Sequence, residues 1–273
     1  MRRSLRRNVV GGAANLRFIL STILRVRNWW TLLVTLVTLR NRPTVYQLRH
    51  GPAIRTKEGV DAVTLYGVFV RQDYGEVQGD AVVIDLGAHI GIYSVFCASQ
   101  ARNAKVYAYE PVLENFRQLQ ENIQKNGLES RIHPFRLGVA GSKGKRQLHV
   151  GQGSPFHSFY AGSLTTDQLV EIDAVTLQDC FLQNGIKECD ILKLDCEGAE
   201  FECLYETPPQ ILGRIKNIRL EYHNQWNYPR YTIADLTAFL QNQGFLLRRM
   251  MRCSPHSGLA WFGRDSQATL HSA

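Results

Sequence analysis

The chain has 273 residues and a formal net charge of +8, with 44% hydrophobic and 21% charged residues. This composition excludes a disordered tail, a collagen-like rod and a small disulfide-stabilised scaffold. The six cysteines follow neither a CxxC spacing nor a paired metal-ligand spacing, and no cleavable signal precedes them, which indicates reduced thiols. We therefore expect a cytoplasmic protein. From length alone, one α/β domain of roughly 200 residues with an N-terminal extension fits as well as two small domains.

The positive charge lies almost entirely in the first part of the chain. Residues 1–60 contain 12 arginines and lysines and one acid, Glu58, which gives +11 and leaves −3 for the remaining residues. A protein that reads nucleic acid usually presents a basic surface on its folded body. The mildly acidic body therefore predicts no nucleic-acid partner.

Residues 1–44 are predicted to form a basic, apolar helical extension, whose residues 16–39 read as one helix. Its longest uncharged run, residues 28–39, has 12 residues, whereas a membrane-spanning helix needs about 20. Two interpretations stay open. The helix packs against the domain or against a second subunit of a homodimer, or it makes a peripheral membrane contact with Trp29 and Trp30 at headgroup level. The second interpretation would place the protein at the inner face of the membrane.

The predicted elements that follow begin with a hairpin formed by residues 45–49 and 53–56. From Ala81 onward, strands alternate with helices, at 82–86, 92–100, 105–109, 112–126, 132–139, 177–184, 191–195, 218–223 and 233–242, and a final hairpin follows at 245–250 and 259–263. This alternation predicts an α/β doubly wound, seven-stranded, mostly parallel sheet with an antiparallel final hairpin. We expect the stretch between strands at 170–177 to be irregular. The domain is predicted to span 45–264, with 265–273 as a tail.

The strongest motif is a glycine loop between the first strand of this sheet and its helix. Glycines at 87 and 91 let the backbone approach a ligand closely. Dinucleotide loops use G-x-G-x-x-G and place a pyrophosphate at the helix N-terminus, whereas here the glycines are four apart and an acid precedes them. A carboxylate repels phosphate and suits an ammonium-bearing ligand such as S-adenosylmethionine. The residues that we expect to contact it are Asp85, Gly87, Ala88, His89 and Gly91.

A second acid supports this interpretation. Glu110 ends the next strand, 25 residues after Asp85, and Pro111 follows it. A carboxylate at that position can accept both hydrogen bonds of a ribose diol. Dinucleotide enzymes share this feature, so Glu110 alone does not discriminate. Its combination with Asp85 and the two glycines predicts a methyltransferase that binds S-adenosylmethionine through Glu110 and Pro111 as well.

Several segments together resemble the FkbM family of S-adenosylmethionine-dependent methyltransferases, over about residues 45–263. They are Ile84-Asp85-Leu86-Gly87-Ala88-His89-Ile90-Gly91-Ile92-Tyr93-Ser94, Tyr109-Glu110-Pro111 with Asn115 and Asn122, Leu192-Lys193-Leu194-Asp195-Cys196-Glu197-Gly198-Ala199-Glu200, and Glu221-Tyr222-His223. The resemblance implies a class I methyltransferase (Rossmann-like) fold and O-methylation of a hydroxyl on a polyketide, sugar or lipid-linked glycan. In two places the chain departs from the family: His89 stands where the family often has Asn, and residues 138–140 offer no acid or amide to the adenine amino group.

From these features we expect O-methylation of a hydroxyl on a glycan, glycolipid or natural product, with a small-molecule or lipid-linked glycan acceptor. An RNA methyltransferase is an alternative that the acidic body disfavours. A non-catalytic, membrane-associated protein that retains the fold is another, and the presence of Asp85, Glu110 and Asp195 argues against it.

The fourth and fifth strands of the sheet carry the candidate catalytic residues. Lys193 needs a partner in a strand covered on both faces, and the alternation of side chains predicts a pair with Glu221. Asp195 and His223 stand at the carboxyl ends of their strands, where open α/β sheets bind ligands. We therefore expect Asp195 to contact the cofactor, and either His223 or Asp195 to accept the hydroxyl proton. Positioning of the substrates without a base is the remaining alternative.

Two further features have alternative interpretations. The oxygen-rich cluster at the same strand ends could hold Mg²⁺ through Asp195, Glu197, Glu221 and His223. These positions also have structural roles, so we predict no metal. Residues 151–166 form either a surface loop or a lid over the acceptor, with Phe156, His157 and Tyr160 as contacts.

Overall fold

The computed structural model describes residues 12–151, 165–196, 198–225, 228 and 230–264. Some of the predictions concern residues that lie outside these ranges. They are the lid residues Phe156, His157 and Tyr160, the candidate metal ligand Glu197 and the tail 265–273.

The described residues form helices and strands in an order close to the predicted one. The helices are α1 (Gly12–Arg25), α2 (Trp29–Thr38), α3 (Asp61–Leu65), α4 (Ile92–Gln100), α5 (Leu113–Lys125), α6 (Leu177–Gln183), α7 (Glu200–Tyr205), α8 (Pro209–Leu212) and α9 (Ile233–Asn242), with a π-helical turn, Tyr66–Arg71, directly after α3. The strands are β1 (Thr44–Gln47), β2 (Ala53–Thr56), β3 (Val82–Leu86), β4 (Lys105–Tyr109), β5 (Ile132–Phe135), β6 (Gly138–Val139), β7 (Gly144–Gly151), β8 (Thr165–Val175), β9 (Cys189–Leu194), β10 (Ile215–His223), β11 (Leu246–Arg252) and β12 (Ser257–Gly263). Threonine side chains cap two of the helices, since Thr176 and Thr232 accept hydrogen bonds from backbone N–H groups in the first turns of α6 and α9.

The main sheet has seven strands in the order β11-β12-β10-β9-β3-β4-β5. Strands β5, β4, β3, β9 and β10 are parallel to their neighbours in this series, whereas β12 runs antiparallel to both β10 and β11. This confirms the predicted doubly wound fold with its antiparallel final hairpin. The chain adds β4 and β5 on one side of β3 and then places β9 on the other side. The strand order therefore reverses between β3 and β9, which is where such sheets bind ligands.

The core lies on both faces of this sheet. In β3, Val83 belongs to the apolar cluster on one face, while Ile84 and Leu86 belong to the cluster on the other face, and all three are fully buried. Burial of one such side chain contributes about 1.5–3 kcal/mol. Burial on both faces explains why the strand reads as a continuous apolar run rather than as an alternation.

The structure corrects the prediction of a single strand over residues 132–139. Strand β5 ends at Phe135, and β6 pairs instead with β8 in a separate three-stranded sheet of order β6-β8-β7. The expectation of an irregular stretch at 170–177 is also wrong, because β8 extends to Val175. Ile172 and Ala174 are buried, whereas Glu171 and Asp173 are exposed, which is the alternation of a half-buried strand.

The N-terminal region contains the predicted hairpin, since β1 and β2 pair antiparallel. Residues 16–39 do not form one helix, however. Val26 bridges to Leu48, and the Asn28 side chain donates to the Val45 carbonyl at 2.9 Å and accepts from the Gln47 N–H at 3.1 Å. These contacts with the hairpin lie between the two helices, so α1 ends at Arg25 and α2 begins at Trp29. Within the described ranges, no helix has both the length and the apolar character needed to cross a bilayer.

Candidate active site

A cleft opens at the carboxyl ends of β3, β4 and β9, where the strand order reverses. It encloses about 840 Å³ of space, which includes open solvent at its mouth. The cleft brings together most of the predicted cofactor-binding residues. Those that line it are Gly87, Ala88, His89, Glu110, Pro111 and Asp195.

The glycine loop has a conformation that a side chain would prevent. Gly87 has φ +72°, and a Cβ there would lie 1.9 Å from the Asp195 carbonyl oxygen. Gly91 has φ +84°, and its Cβ would lie 2.4 Å from Leu119 Cδ1. Gly87 therefore allows β3 and β9 to meet at the cleft, while Gly91 allows α5 to pack against the start of α4.

His89 also has a left-handed backbone, with φ +53°. His, Asn and Asp adopt this conformation more readily than most residues, which explains why His is accommodated where Asn also fits. The His89 N–H donates to Glu110 Oε2 at 2.9 Å, and its ring Nε2 lies 3.7 Å from Oδ1 of the fully buried Asp61. The loop conformation therefore aims a backbone donor at Glu110.

Glu110 is held at the side of the cleft with both carboxylate oxygens engaged. Oε2 accepts from His89 N–H, while Oε1 accepts from Val112 N–H at 2.9 Å and from Asn115 Nδ2 at 3.5 Å. Burial nevertheless raises the pKa of Glu110 to about 7, because these hydrogen bonds offset only part of the lost solvation. Of these hydrogen bonds Oε2 accepts one, and a carboxylate oxygen can accept two, so a ribose hydroxyl in the cleft could still donate to Oε2.

Lys193 contacts both the backbone of the glycine loop and two carboxylates, those of Asp85 and Asp195. Its Nζ donates to the carbonyl oxygens of Gly87 at 2.8 Å and Leu86 at 3.3 Å. The same nitrogen lies 3.2 Å from Asp85 Oδ1 and 3.6 Å from Asp195 Oδ2. Although burial lowers the pKa of Lys193, these two negative charges outweigh burial and leave the pKa above its ordinary value. Lys193 therefore stays charged in the interior.

This arrangement corrects the predicted Lys193–Glu221 pair. The register of β9 and β10 places Lys193 opposite Arg219, two residues before Glu221. The partner of Lys193 is Asp85, which is fully buried and also accepts from Ser94 Oγ at 2.6 Å. Asp85 and Gly91 do not line the cleft that the described residues form. The structure thus places the Asp85 carboxylate under the glycine loop, where it holds Lys193.

Tyr74 lines the cleft and connects the carboxylates of Asp195 and Glu221. Its hydroxyl lies 3.2 Å from Glu221 Oε2 and 3.4 Å from Asp195 Oδ2. Burial, and then the charges of Asp195 and Glu221, raise the pKa of Tyr74 well above its ordinary value, so the hydroxyl stays protonated and donates. Burial and the neighbouring Asp195 also raise the pKa of Glu221 to about 7.

His223 lies beside this pair of carboxylates and contacts a third. Its Nδ1 is 3.3 Å from Oε1 of Glu200, which is fully buried. Glu200 itself accepts from the backbone N–H groups of Cys196 at 2.9 Å and Gly198 at 2.8 Å. The loop after β9 therefore fixes Glu200, and Glu200 in turn contacts the imidazole.

The two predicted catalytic residues do come together with Glu221. One ligand atom each from Asp195, Glu221 and His223 lies within 4.8 Å of the others. Two carboxylates and an imidazole suit a divalent cation by donor type, but Lys193 already supplies a positive charge next to Asp195. The cluster is therefore partly neutralised by the protein itself.

Three residues that support this site have no role assigned from the sequence. Tyr74 lies before the predicted sheet and belongs to no motif, whereas Glu200 and Asn122 are named among the family-like segments without a role. The Asn122 side chain accepts a hydrogen bond from the backbone N–H of Arg55 in β2 and donates to the carbonyl of the same residue. It also donates to the Ile90 carbonyl at 2.8 Å. The sequence feature that indicates a role for Asn122 is an amide next to the apolar residues Leu119 and Ile123 of a predicted helix. A polar group buried on that face needs hydrogen-bond partners.

Residues 85–247, more than half of the chain, match the family model described as "Methyltransferase FkbM domain". Two curated relatives are 23% identical to the chain: "Methyltransferase sdnD" of Sordaria araneosa, over 65% of this chain and 78% of the relative, and "31-O-demethyl-FK506 methyltransferase FkbM" of Streptomyces tacrolimicus, over 62% and 74%. The crystal structure of methyltransferase FkbM from Methylobacillus flagellatus KT aligns with 96% of this chain at 14% identity and a TM-score of 0.50. The chain covers 57% of that protein, and the likeness shows a shared fold.

Proposed function

The chain belongs to the FkbM methyltransferase family, and from this premise we propose that it transfers a methyl group from S-adenosylmethionine to a hydroxyl oxygen of a glycan, glycolipid or other small-molecule acceptor. The observation that carries the proposal is the position of Glu110, which lines the same cleft as Asp195 and accepts a hydrogen bond from the glycine loop at the His89 N–H. The Streptomyces relative is named for methylating an O-demethylated compound, which supports oxygen as the atom that receives the methyl group.

The residues of the cleft fit this cofactor. The Glu110 carboxylate is held by two backbone N–H groups and by Asn115, and its Oε2 retains acceptor capacity for a ribose hydroxyl. Leu137, Val139 and Leu148 line the cleft with apolar surface, which suits the faces of an adenine ring. No side-chain acid or amide stands at residues 138–140, so we assign the adenine amino group to backbone acceptors.

The polar cluster of Asp195, Glu221 and His223 suits the acceptor hydroxyl. Asp195 lines the cleft, and Glu221 and His223 lie next to Asp195 outside the lining that the described residues form. When bound, S-adenosylmethionine supplies a methyl carbon that is activated by the sulfonium. The transfer would convert the cofactor to S-adenosylhomocysteine, while residues of this chain would orient the acceptor hydroxyl and take up its proton. We assign His223 as the base that takes up this proton and Asp195 as the acceptor that orients the hydroxyl. Since methyl transfer needs an in-line approach, much of the rate comes from such orientation.

Glu200 is the positioning residue in this mechanism. With its carboxylate 3.3 Å from His223 Nδ1, Glu200 favours the tautomer that carries the proton on Nδ1 and leaves Nε2 as the basic nitrogen. The carboxylate also stabilises the imidazolium that forms when the hydroxyl proton arrives. Glu200 is fully buried, so water screens this interaction weakly.

Calorimetry with S-adenosylhomocysteine and with NAD tests the cofactor assignment on the full chain. We expect S-adenosylhomocysteine to bind and NAD not to bind; the reverse result would overturn the proposal. Transfer of labelled methyl groups to hydroxylated glycans, glycolipids and small molecules then tests the reaction. Intact-mass analysis of glycolipids from cells with and without the protein searches for the acceptor, and transfer only to nitrogen atoms or RNA would refute O-methylation.

A further inference from the structure

Helix α1 presents a row of leucines to solvent. Leu16, Leu20 and Leu24 are spaced four residues apart and are 64%, 49% and 70% exposed. This spacing places them on one face of the helix. The opposite face is buried: Thr22 is fully buried, and the Phe18 ring lies 4.7 Å from the Tyr66 ring. The leucines are therefore exposed although the helix itself is packed against the domain.

Helix α2 has the same two-faced character. Trp30, Val34 and Val37 are 63%, 37% and 54% exposed, and their spacing of four and three residues again gives one face. Leu32 and Leu36 on the other face are buried. We call the outward residues Leu16, Leu20, Leu24, Trp30, Val34 and Val37 the apolar stripes.

The stripes are held in place by contacts with the rest of the molecule. Arg25 donates from Nη1 to the Phe69 carbonyl at 3.3 Å, and Arg49 donates from Nε to the Ile23 carbonyl at 2.6 Å. The backbone of Arg49 also donates to the Arg25 carbonyl at 2.9 Å. These contacts anchor α1, and the Tyr46 hydroxyl anchors α2 by donating to Thr35 Oγ1 at 3.0 Å. Both anchored helices display large apolar side chains on the surface.

The charged residues of the chain segment that carries the stripes all have one sign. Residues 1–57 contain 12 arginines and lysines and no acid. Arg17, Arg27, Arg40 and Arg42 are exposed, and they flank the stripes along the chain. Apolar side chains with arginines on a short surface helix are the pattern of helices that lie in a membrane interface, with tryptophan at headgroup level.

We propose that the apolar stripes dock on an anionic lipid surface, with the flanking arginines against the lipid phosphates. The charge argues for this occupant over a second copy of the chain, because a twofold contact through this segment would place arginines against arginines with no acid of the segment to offset them. The inference goes beyond the proposed methyl transfer and does not depend on it.

Co-sedimentation of the full chain with vesicles tests the proposal. We expect binding to phosphatidylcholine vesicles that contain phosphatidylglycerol, weaker binding to phosphatidylcholine alone, and release by salt.

The double variant Leu20→Glu/Leu24→Glu should abolish binding, while Leu182→Glu, which changes a leucine of α6 that is 61% exposed, should not. Each of Arg17→Gln, Arg27→Gln and Arg40→Gln should weaken binding about fivefold, which corresponds to ~1 kcal/mol per basic residue. Arg102→Gln is the matched control, because Arg102 is equally exposed but lies outside the extension.

Circular dichroism melting curves show whether each variant is folded, independently of any methyltransferase activity. A blue shift of tryptophan fluorescence on vesicle binding should be reduced in Trp30→Phe. Equal binding of wild type and the Leu20→Glu/Leu24→Glu variant, or no preference for anionic lipid, would overturn the proposal. Light scattering of the protein without lipid supplies another decisive result: a dimer that Leu20→Glu/Leu24→Glu converts to monomer, with no vesicle binding by wild type, would assign the stripes to a subunit interface instead.

Discussion

The ammonium group of Lys193 lies 3.2 Å from the carboxylate of Asp85, and both side chains are almost completely buried beneath the glycine loop. The same ammonium donates to the carbonyls of Leu86 and Gly87. A buried charge that loses its partner costs far more than a surface charge, because water cannot replace the lost interaction. The pair therefore links the stability of the domain to the shape of the cleft.

Replacement of Lys193 by methionine should destabilise the protein by about 3–5 kcal/mol, because it leaves Asp85 charged and buried without a cation. Urea unfolding followed by circular dichroism measures the change. If Lys193→Met does not fold, the double variant Lys193→Met/Asp85→Asn still tests the argument, since it removes the unpaired charge and should be more stable than Lys193→Met alone.

The matched control is Lys145→Met, which breaks pairs with Glu171 and Asp173 on the exposed edge of the small sheet. Water solvates all three groups there, so the free energy of unfolding should stay close to that of the wild type. Equal losses at Lys145 and Lys193 would contradict the importance of burial at Lys193.

Binding of S-adenosylhomocysteine should weaken as the pH falls through about 7. Glu110 accepts hydrogen bonds from a ribose best when it is ionised, and burial raises the pKa of Glu110 to about 7. Glu110→Gln should lower the affinity at pH 8 by about 1–3 kcal/mol and remove most of the pH dependence. Calorimetry between pH 6 and 8 measures both effects. The control is Glu114→Gln, at an exposed position in the first turn of α5, which should behave like the wild type. An unchanged pH dependence in Glu110→Gln would refute the assignment.

The sequence predicted those parts of the site that depend on local geometry. The positions of Gly87 and Glu110 follow from strands that end at one edge of a sheet, and the structure places both in the cleft. The partner of Lys193 depends on the register of β9 with β3, which places Asp85 opposite it, and on the register with β10, which places Arg219 there rather than Glu221. Alternation along one strand cannot supply either register. Tyr74 reaches Asp195 across 121 residues of sequence, and no pattern near either residue indicates that contact. The break between α1 and α2 likewise depends on hydrogen bonds from Asn28 to the hairpin.

Glu221 should make the folded state less stable at alkaline pH than at acid pH. Burial, and then the charge of Asp195, raise its pKa from 4.5 to about 7, so between these values the folded chain binds more protons than the unfolded chain. Stability therefore falls as the pH rises through this window. Glu221→Gln removes this contribution. The free energy of unfolding of the variant, relative to that of the wild type, should therefore be higher at pH 8 than at pH 5. Urea unfolding of both proteins at the two pH values measures it; the same difference at both would contradict the raised pKa.

The catalytic assignment predicts different effects at His223 and Glu200. His223→Ala should lower kcat by about 10²–10⁴-fold, the usual contribution of a general base, and leave the affinity for S-adenosylhomocysteine nearly unchanged; His50→Ala, on the exposed hairpin turn, should leave both unchanged. Glu200→Gln should lower kcat less and shift the acidic limb of the pH–rate profile to lower pH, because a neutral amide no longer stabilises the protonated imidazole. A merely structural role of Glu200 would lower kcat equally at every pH. Full turnover in His223→Ala would instead leave Asp195, or positioning alone, to account for the reaction.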